Sequence, residues 1–343
     1  MENETKALSV GVDLGTSRSA ISASSGERHL VLSYVGWPVD MVARKVLKQD
    51  VLIGEEALEN RLMLDLHRPL ESGLIKEGSD RDAMAVRELL QQLLTLAGVS
   101  EAREQGIPVR AVVGVPAEAM RVNKQQLRAS MEGLVDFLMI VSEPFAVAYG
   151  LDALLHALII DIGAGTTDMC VMNGRYPKDE DQKTLTMAGD SIDDQLEQLI
   201  QTRYPEAHFS RHMVTAWKEG GSFVGQLSGK IMVSAPAQGK PTDFDITEDM
   251  RTACSALLPP VVEAMIDLIS RVEPEYQAKV RNNVILTGGS SLISGLGAAL
   301  QEALLEVGGG KVRVVKDPAF VGSDGGLAIA TDAPDSDWET LAT

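Results

Sequence analysis

An α/β fold of two duplicated domains, each a mixed sheet flanked by helices, is predicted by three observations. The chain has 343 residues, too many for one ordinary core and suited to two domains of roughly 150 residues. Short apolar runs of strand type alternate with helix-period patterns along it. The pattern that opens the chain also returns at Leu158, as expected of a duplication.

The elements follow in order. Leu8 to Asp13 is an apolar strand ending in a carboxylate, and Ala20 to Ala23 is its hairpin partner. Strand-like runs continue through Tyr34 and from Val51 to Gly54, with a break at Trp37-Pro38. Val86, Leu89, Leu90, Leu93 and Leu94 share one face of a helix over about Arg81 to Ala97, capped by Asp80 or Asp82 and ended by Gly98. Val109 to Val115 is a buried strand, about Ala117 to Gly133 a helix, and Phe137 to Val141 a strand. Leu158 to Gly163 and Thr167 to Met172 then repeat the opening hairpin. Asp190 to Arg203 is a helix, about Phe209 to Asp249 a mixed segment with turns, and Pro259-Pro260 starts a helix to Arg271. Val284 to Leu286 is a strand, Leu296 to Leu305 a helix, and Val312 to Val315 a strand. The polar tail from Asp332 to Thr343 is expected to be mobile.

Composition narrows the function. Hydrophobic residues make up 45% of the chain, enough for a full globular fold, and aromatic residues only 4%, so aliphatic packing dominates. The formal net charge of -18, with no basic stripe, argues against direct nucleic-acid binding and against anionic lipid surfaces. Cys170 and Cys254 have no metal-ligand spacing and are expected to be reduced core residues of a cytoplasmic protein. The acidic start of the chain has neither signal-peptide nor amphipathic-anchor character. The most apolar run, around Leu258 to Ile269, is interrupted by Pro259, Pro260, Glu263 and Asp267, so no membrane insertion is expected.

Three motifs carry chemistry. Gly11-Val12-Asp13-Leu14-Gly15-Thr16-Ser17 and Asp161-Ile162-Gly163-Ala164-Gly165-Thr166-Thr167-Asp168 each bring a carboxylate to a strand end beside a glycine turn. Glycine is expected there for positive φ, so that successive backbone N–H groups converge on phosphate oxygens. A carboxylate beside such a turn suits Mg²⁺, which keeps most of its waters and takes one or two oxygen ligands. The third motif, Leu286-Thr287-Gly288-Gly289-Ser290-Ser291, is a strand followed by a turn that a nucleoside can approach closely.

These motifs, in this order, resemble those of the actin, heat-shock chaperone and sugar-kinase superfamily. Val112 to Ala117 resembles its first connecting strand, Glu143-Pro144-Phe145-Ala146 its first interdomain helix, and Gly322 to Ala328 its second. Trp217-Lys218-Glu219 is similar to the actin segment that touches the adenosine. The size, without a chaperone substrate domain or a sugar-binding insert, fits the bacterial actin-like filament proteins, above all their magnetosome-associated branch.

The resemblance implies an actin-like ATPase fold with a nucleotide cleft between the domains. Domain I would comprise about 1–145 and 320–343, with a small subdomain at about 33–66; domain II would comprise about 146–319, with a small subdomain at about 190–262. It implies ATP or ADP with Mg²⁺ as ligands, Asp13 and Asp161 holding the metal largely through water, and Glu143 and Asp161 as the catalytic pair. Gly15, Thr16 and Ser17 would contact one phosphate, Gly163, Ala164, Gly165 and Thr166 the outer one, and Lys218, Glu219, Gly288, Gly289 and Ser290 the nucleoside. The implied activity is ATP hydrolysis linked to polymerisation into cytoplasmic filaments that position magnetosome organelles, with the chain itself and organelle adaptor proteins as partners. An MreB-like or plasmid-segregating filament, or a non-polymerising kinase or nucleotide switch, is the alternative.

Overall fold

The computed structural model describes residues 7–71, 74–75, 80–117 and 123–341. The chain divides into two compact units: residues 1–155, 172–178 and 317–343, and residues 156–171 and 179–316.

Unit 1 is built on a six-stranded sheet. Leu8–Leu14 pairs antiparallel with Arg18–Ala23, which pairs antiparallel with Arg28–Leu32. On its other side Leu8–Leu14 runs parallel to Val109–Val115, which runs parallel to Phe137–Ser142. The helix Asp80–Leu96 covers one face with Val86, Leu89, Leu90 and Leu93, all fully buried in the same core as Val10, Val12, Val113 and Leu138.

Unit 2 repeats this plan. Its sheet runs Gln182–Leu185, Thr167–Asn173, Leu155–Ile162, Val284–Thr287, Val312–Val314. In both units the first three strands form a meander and the next two add in parallel beside the first. The duplication suggested by two matching hairpins thus extends over five strands. The sheets are mixed, because a meander needs only short turns while each parallel strand needs a helical crossover.

Several local expectations change. Trp37-Pro38 is no break: Val35–Pro38 is the central strand of a small three-stranded sheet with Leu52–Ile53 and Leu64–His67, and proline is tolerated because Leu52–Ile53 pairs only with Val35 and Gly36, leaving one side of the strand an edge at Pro38. Asp40 then caps a further helix, Met41–Leu47, by accepting from Val42 N and Ala43 N, each at 2.8 Å. Asp82 lies inside the helix, where its carboxylate contacts His67 Nδ1 at 2.8 Å; the Asp80 side chain lies outside the described residues. Of the helix expected from Ala117 to Gly133, Lys124–Met131 is seen and residues 118–122 lie outside the description.

The tail is not loose. Glu339–Thr340 pairs antiparallel with Phe137 and Leu138 at the sheet edge, Leu341 is buried, and Arg110 donates to Asp335 at 2.6 Å. One buried leucine and two charged anchors, Arg110 on Asp335 and Arg128 on Glu339, outweigh the polar composition of this segment. The helices Thr247–Ser255 and Leu258–Ser270 together are long and apolar enough by composition to cross a membrane, contrary to the reading of their sequence. Met250, Ala253, Cys254, Val261, Met265 and Leu268 are buried in the core of unit 2, which accounts for the apolarity. Neither cysteine is in a disulfide, both are buried, and burial pushes the Cys254 thiol up to about 11, far from reactive.

Candidate functional site

In unit 1 the predicted residues gather at the C-terminal ends of adjacent strands. Asp13 sits opposite Gly114 in the parallel register, and Gly114 sits opposite Val141, just before Glu143. Gly114 has no side chain to separate its neighbours; a Cβ there would lie 3.8 Å from the Glu143 Cγ. Asp13 and Glu143 therefore flank one glycine. Glu143 is the first residue of the helix Glu143–Gly150, whose N-terminal dipole favours its charge.

A second helix, Val321–Asp332, closes over this strand end. A Cβ on Gly322 would collide with the Asp13 carboxylate, and one on Gly325 with the carbonyl of Ala146 in the first helix. Gly150 meets the same crossing, where a Cβ would lie 2.8 Å from the Gly325 Cα. Pressed against this backbone, Asp13 is desolvated, and burial raises its carboxyl to about 6. A bound cation would offset that cost; among the described residues no group of three metal-ligating side chains occurs, so one carboxylate suits only an ion held largely through its waters, as Mg²⁺ is.

The turn after Asp13 is held from behind. The Gly15 carbonyl accepts from Ser33 Oγ at 2.7 Å and from Ser19 Oγ at 3.4 Å, and the two buried hydroxyls contact each other at 2.9 Å. The Thr16 carbonyl accepts from the Arg68 guanidinium at 3.4 Å. In a trans peptide the N–H points opposite to the C=O. Anchoring these two carbonyls therefore turns the N–H groups of Thr16 and Ser17 to the other side, as an anion nest requires.

Unit 2 does the same with different anchors. The Gly163 carbonyl accepts from Ser290 Oγ at 3.0 Å and from Gly189 N at 3.1 Å; the Ala164 carbonyl accepts from Asp190 N at 2.7 Å. The N–H groups of Ala164 and Gly165 are thereby turned outward, and Gly163 N closes the turn onto Thr166 O at 2.9 Å. Glycine is not required by φ at either turn: Gly15 and Gly163 are absent from the positive-φ positions. At Gly15 the reason is crowding, since a Cβ would strike the Arg18 carbonyl. The methyl of Ala164 is tolerated because its φ is also not positive.

Asp161 lies opposite Thr287 in the parallel register. Gly288 has φ +82°, and a Cβ there would strike Asp161 Oδ1 and the Ile162 carbonyl, so glycine is demanded twice. Gly289 faces open space, leaving room beside the turn. The hydroxyls of Thr287 and Ser291 are buried without a hydrogen-bond partner among the described residues. Glu219 is exposed on the helix Arg211–Gly221. Lys218 is buried and engaged: its Nζ donates to the Gly189 carbonyl at 2.7 Å and pairs with Asp193 at 2.8 Å. It supports the entry of the helix Gly189–Arg203, whose first N–H groups hold the second turn. Burial raises the Asp193 carboxyl, while Lys218 and Thr215 draw it back down.

Sequence reasoning missed Ser19, Ser33, Arg68, Gly189 and Asp193. Ser19 lies four residues beyond the Gly15 it contacts, the others act on a carbonyl or an ammonium from distant segments, and no spacing rule points to them. The buried Ser in otherwise apolar strands was the available signal.

The chain matches the MreB/Mbl protein family over residues 7–335. It is 41% identical over 334 residues to the actin-like protein MamK of Paramagnetospirillum magneticum, covering 97% of this chain and 95% of that protein. Among solved structures it resembles a MamK double helical filament, with a TM-score of 0.90 at 41% identity over 96% of this chain and 100% of that one. It also resembles a non-polymerising MamK mutant bound to AMPPNP, with a TM-score of 0.73 at 41% identity over 95% and 99% of the two chains. With two anchored turns on a repeated sheet plan, and likeness over nearly its whole length, the chain belongs to the MreB/Mbl family of actin-like proteins.

Proposed function

We propose that the chain is a filament subunit that binds Mg-ATP and hydrolyses it, and that its polymer organises magnetosomes. The observation that carries this reading is the pair of anchored turns, each aiming two backbone N–H groups away from its sheet beside a carboxylate. The similarity to a filament and to an AMPPNP-bound mutant supports it.

In this reading Gly15, Thr16 and Ser17 take the β-phosphate, and Gly163, Ala164, Gly165 and Thr166 the outer phosphate. Asp13 and Asp161 hold the hydrated Mg²⁺, which neutralises phosphate charge. Glu143 orients and polarises the attacking water, aided by Asp161. Positioning and charge neutralisation supply most of the catalysis of phosphoryl transfer. Gly288, Gly289, Ser290 and Glu219 receive the nucleoside, and Lys218 acts behind the site by fixing the helix that holds the second turn.

Nucleotide bound at these turns favours the assembling state through its differential affinity. A head-to-tail contact between copies grows without closure. The polymer is expected in the cytoplasm, with adaptor proteins linking it to organelles. High-speed sedimentation with Mg-ATP, beside ADP and nucleotide-free controls, tests the proposal. A filamentous pellet that depends on ATP is expected; ATP binding without any pellet across salt and concentration points instead to a kinase or switch.

A further inference from the structure

The internal duplication allows the turn of one unit to be interpreted by that of the other. Asp13-Leu14-Gly15-Thr16-Ser17 and Asp161-Ile162-Gly163-Ala164-Gly165 align residue for residue. In both, the first glycine carbonyl is held by a serine hydroxyl, Ser33 in one and Ser290 in the other. In both, the next carbonyl is held by a nitrogen donor. For Ala164 that donor is the neutral backbone N–H of Asp190; for Thr16 it is the guanidinium of Arg68.

We infer that Arg68 is a phosphate-positioning residue: it fixes the Ser17 N–H toward the bound nucleotide and places a permanent positive charge at the rim of the first turn. The inference rests on the reading of this turn as a phosphate site and extends it to a residue 51 positions beyond Ser17 in the chain. Arg68 is well placed for the task. It is half-buried, directly follows the strand Leu64–His67, and precedes Pro69, which limits its backbone. Its guanidinium lies 5.8 Å from the centroid of the Tyr34 ring, which steadies the long side chain. Arg18, the cation nearest in sequence to the turn, is exposed. In a chain of net charge -18, a cation touching the turn offsets an unfavourable background for a polyphosphate.

The test is calorimetric titration of the full-length chain with Mg-ADP, a ligand that leaves polymerisation aside, at low and high KCl. Wild type is compared with Arg68→Met, which keeps an apolar stem, and Arg68→Lys, which keeps the charge. The nucleotide-free melting temperature is recorded for each. The expected result is an affinity about tenfold lower for the Met variant at low salt, the loss expected when a charged hydrogen bond goes. The gap narrows at high KCl, and Lys recovers part of the loss at an unchanged melting temperature. A purely structural arginine would lower the melting temperature without changing the salt dependence. Wild-type affinity in the Met variant overturns the inference. So does a Lys variant that melts like wild type yet binds as weakly as Met. If wild type itself binds no Mg-ADP, the phosphate reading of the turn falls first.

Discussion

Asp13 couples the site to folding. Its carboxyl is raised from an ordinary 3.8 to about 6, so between these values the folded chain binds more protons than the unfolded one. The resulting stability is complete below 3.8 and is lost as pH rises through 6; two units correspond to at most about 3 kcal/mol. Asp13→Asn should therefore raise the nucleotide-free melting temperature at pH 7 and flatten its dependence between pH 4 and 7. The same change should abolish the added stabilisation by Mg-nucleotide, and melting curves with and without ligand check both. Lys218 is the converse case. Lys218→Met leaves the Asp193 carboxylate buried beside Thr215 without its cation, at a cost of about 3–5 kcal/mol in denaturant unfolding. Adding Asp193→Leu to that variant should recover much of the loss. Glu143→Ala should slow phosphate release and prolong the life of ATP filaments; turnover at the wild-type rate would remove Glu143 from catalysis. The carboxylates and glycines of the site were legible because they form contiguous motifs. Ser33, Arg68 and Gly189 were not, because a hydrogen bond to a carbonyl leaves no spacing signature.

At the scale of elements, two helices cross where glycine leaves no room for anything else. Gly325→Ala forces a methyl into the Ala146 carbonyl and should destabilise unit 1 by about 1–3 kcal/mol or prevent its folding. Gly220→Ala, in the helix Arg211–Gly221 with nothing within 4 Å of a new Cβ, should instead gain up to about 1 kcal/mol. Chemical denaturation of the two variants side by side separates tight packing from mere flexibility as the reason for glycine. Strands rich in Val, Ile and Leu and helices with a clear apolar face were readable from their periodicity. The helix Met41–Leu47 was missed because it is only seven residues long and buries a single alanine, so its start rests on the Asp40 cap. The tail was misread because its polar residues hide the one buried leucine and the edge pairing of Glu339–Thr340.

For the whole molecule, the charge of -18 opposes the packing of copies against one another. Screening shortens the reach of that repulsion from about 30 Å at 0.01 M salt to about 8 Å at 0.15 M. The pelleted fraction with Mg-ATP should accordingly rise over this range, as sedimentation at fixed protein concentration will report. The duplicated plan was visible in sequence only at the two hairpins. The third meander strand and the two parallel strands repeat in topology without repeating in residues, since many apolar side chains fill the same layer equally well.

The two anchored turns also differ in their exposure to mutation. The second is held by backbone N–H groups of Gly189 and Asp190 and by Ser290 Oγ, and it is crowded: a Cβ on Gly189 would lie 3.0 Å from Ser290 Oγ and 3.2 Å from the Gly163 carbonyl. The first depends on the side chains of Ser33 and Arg68, which a single codon change can delete. Loss-of-function alleles outside the motifs should therefore differ in kind: truncated side chains among the supports of the first turn, and an added side chain at Gly189 behind the second.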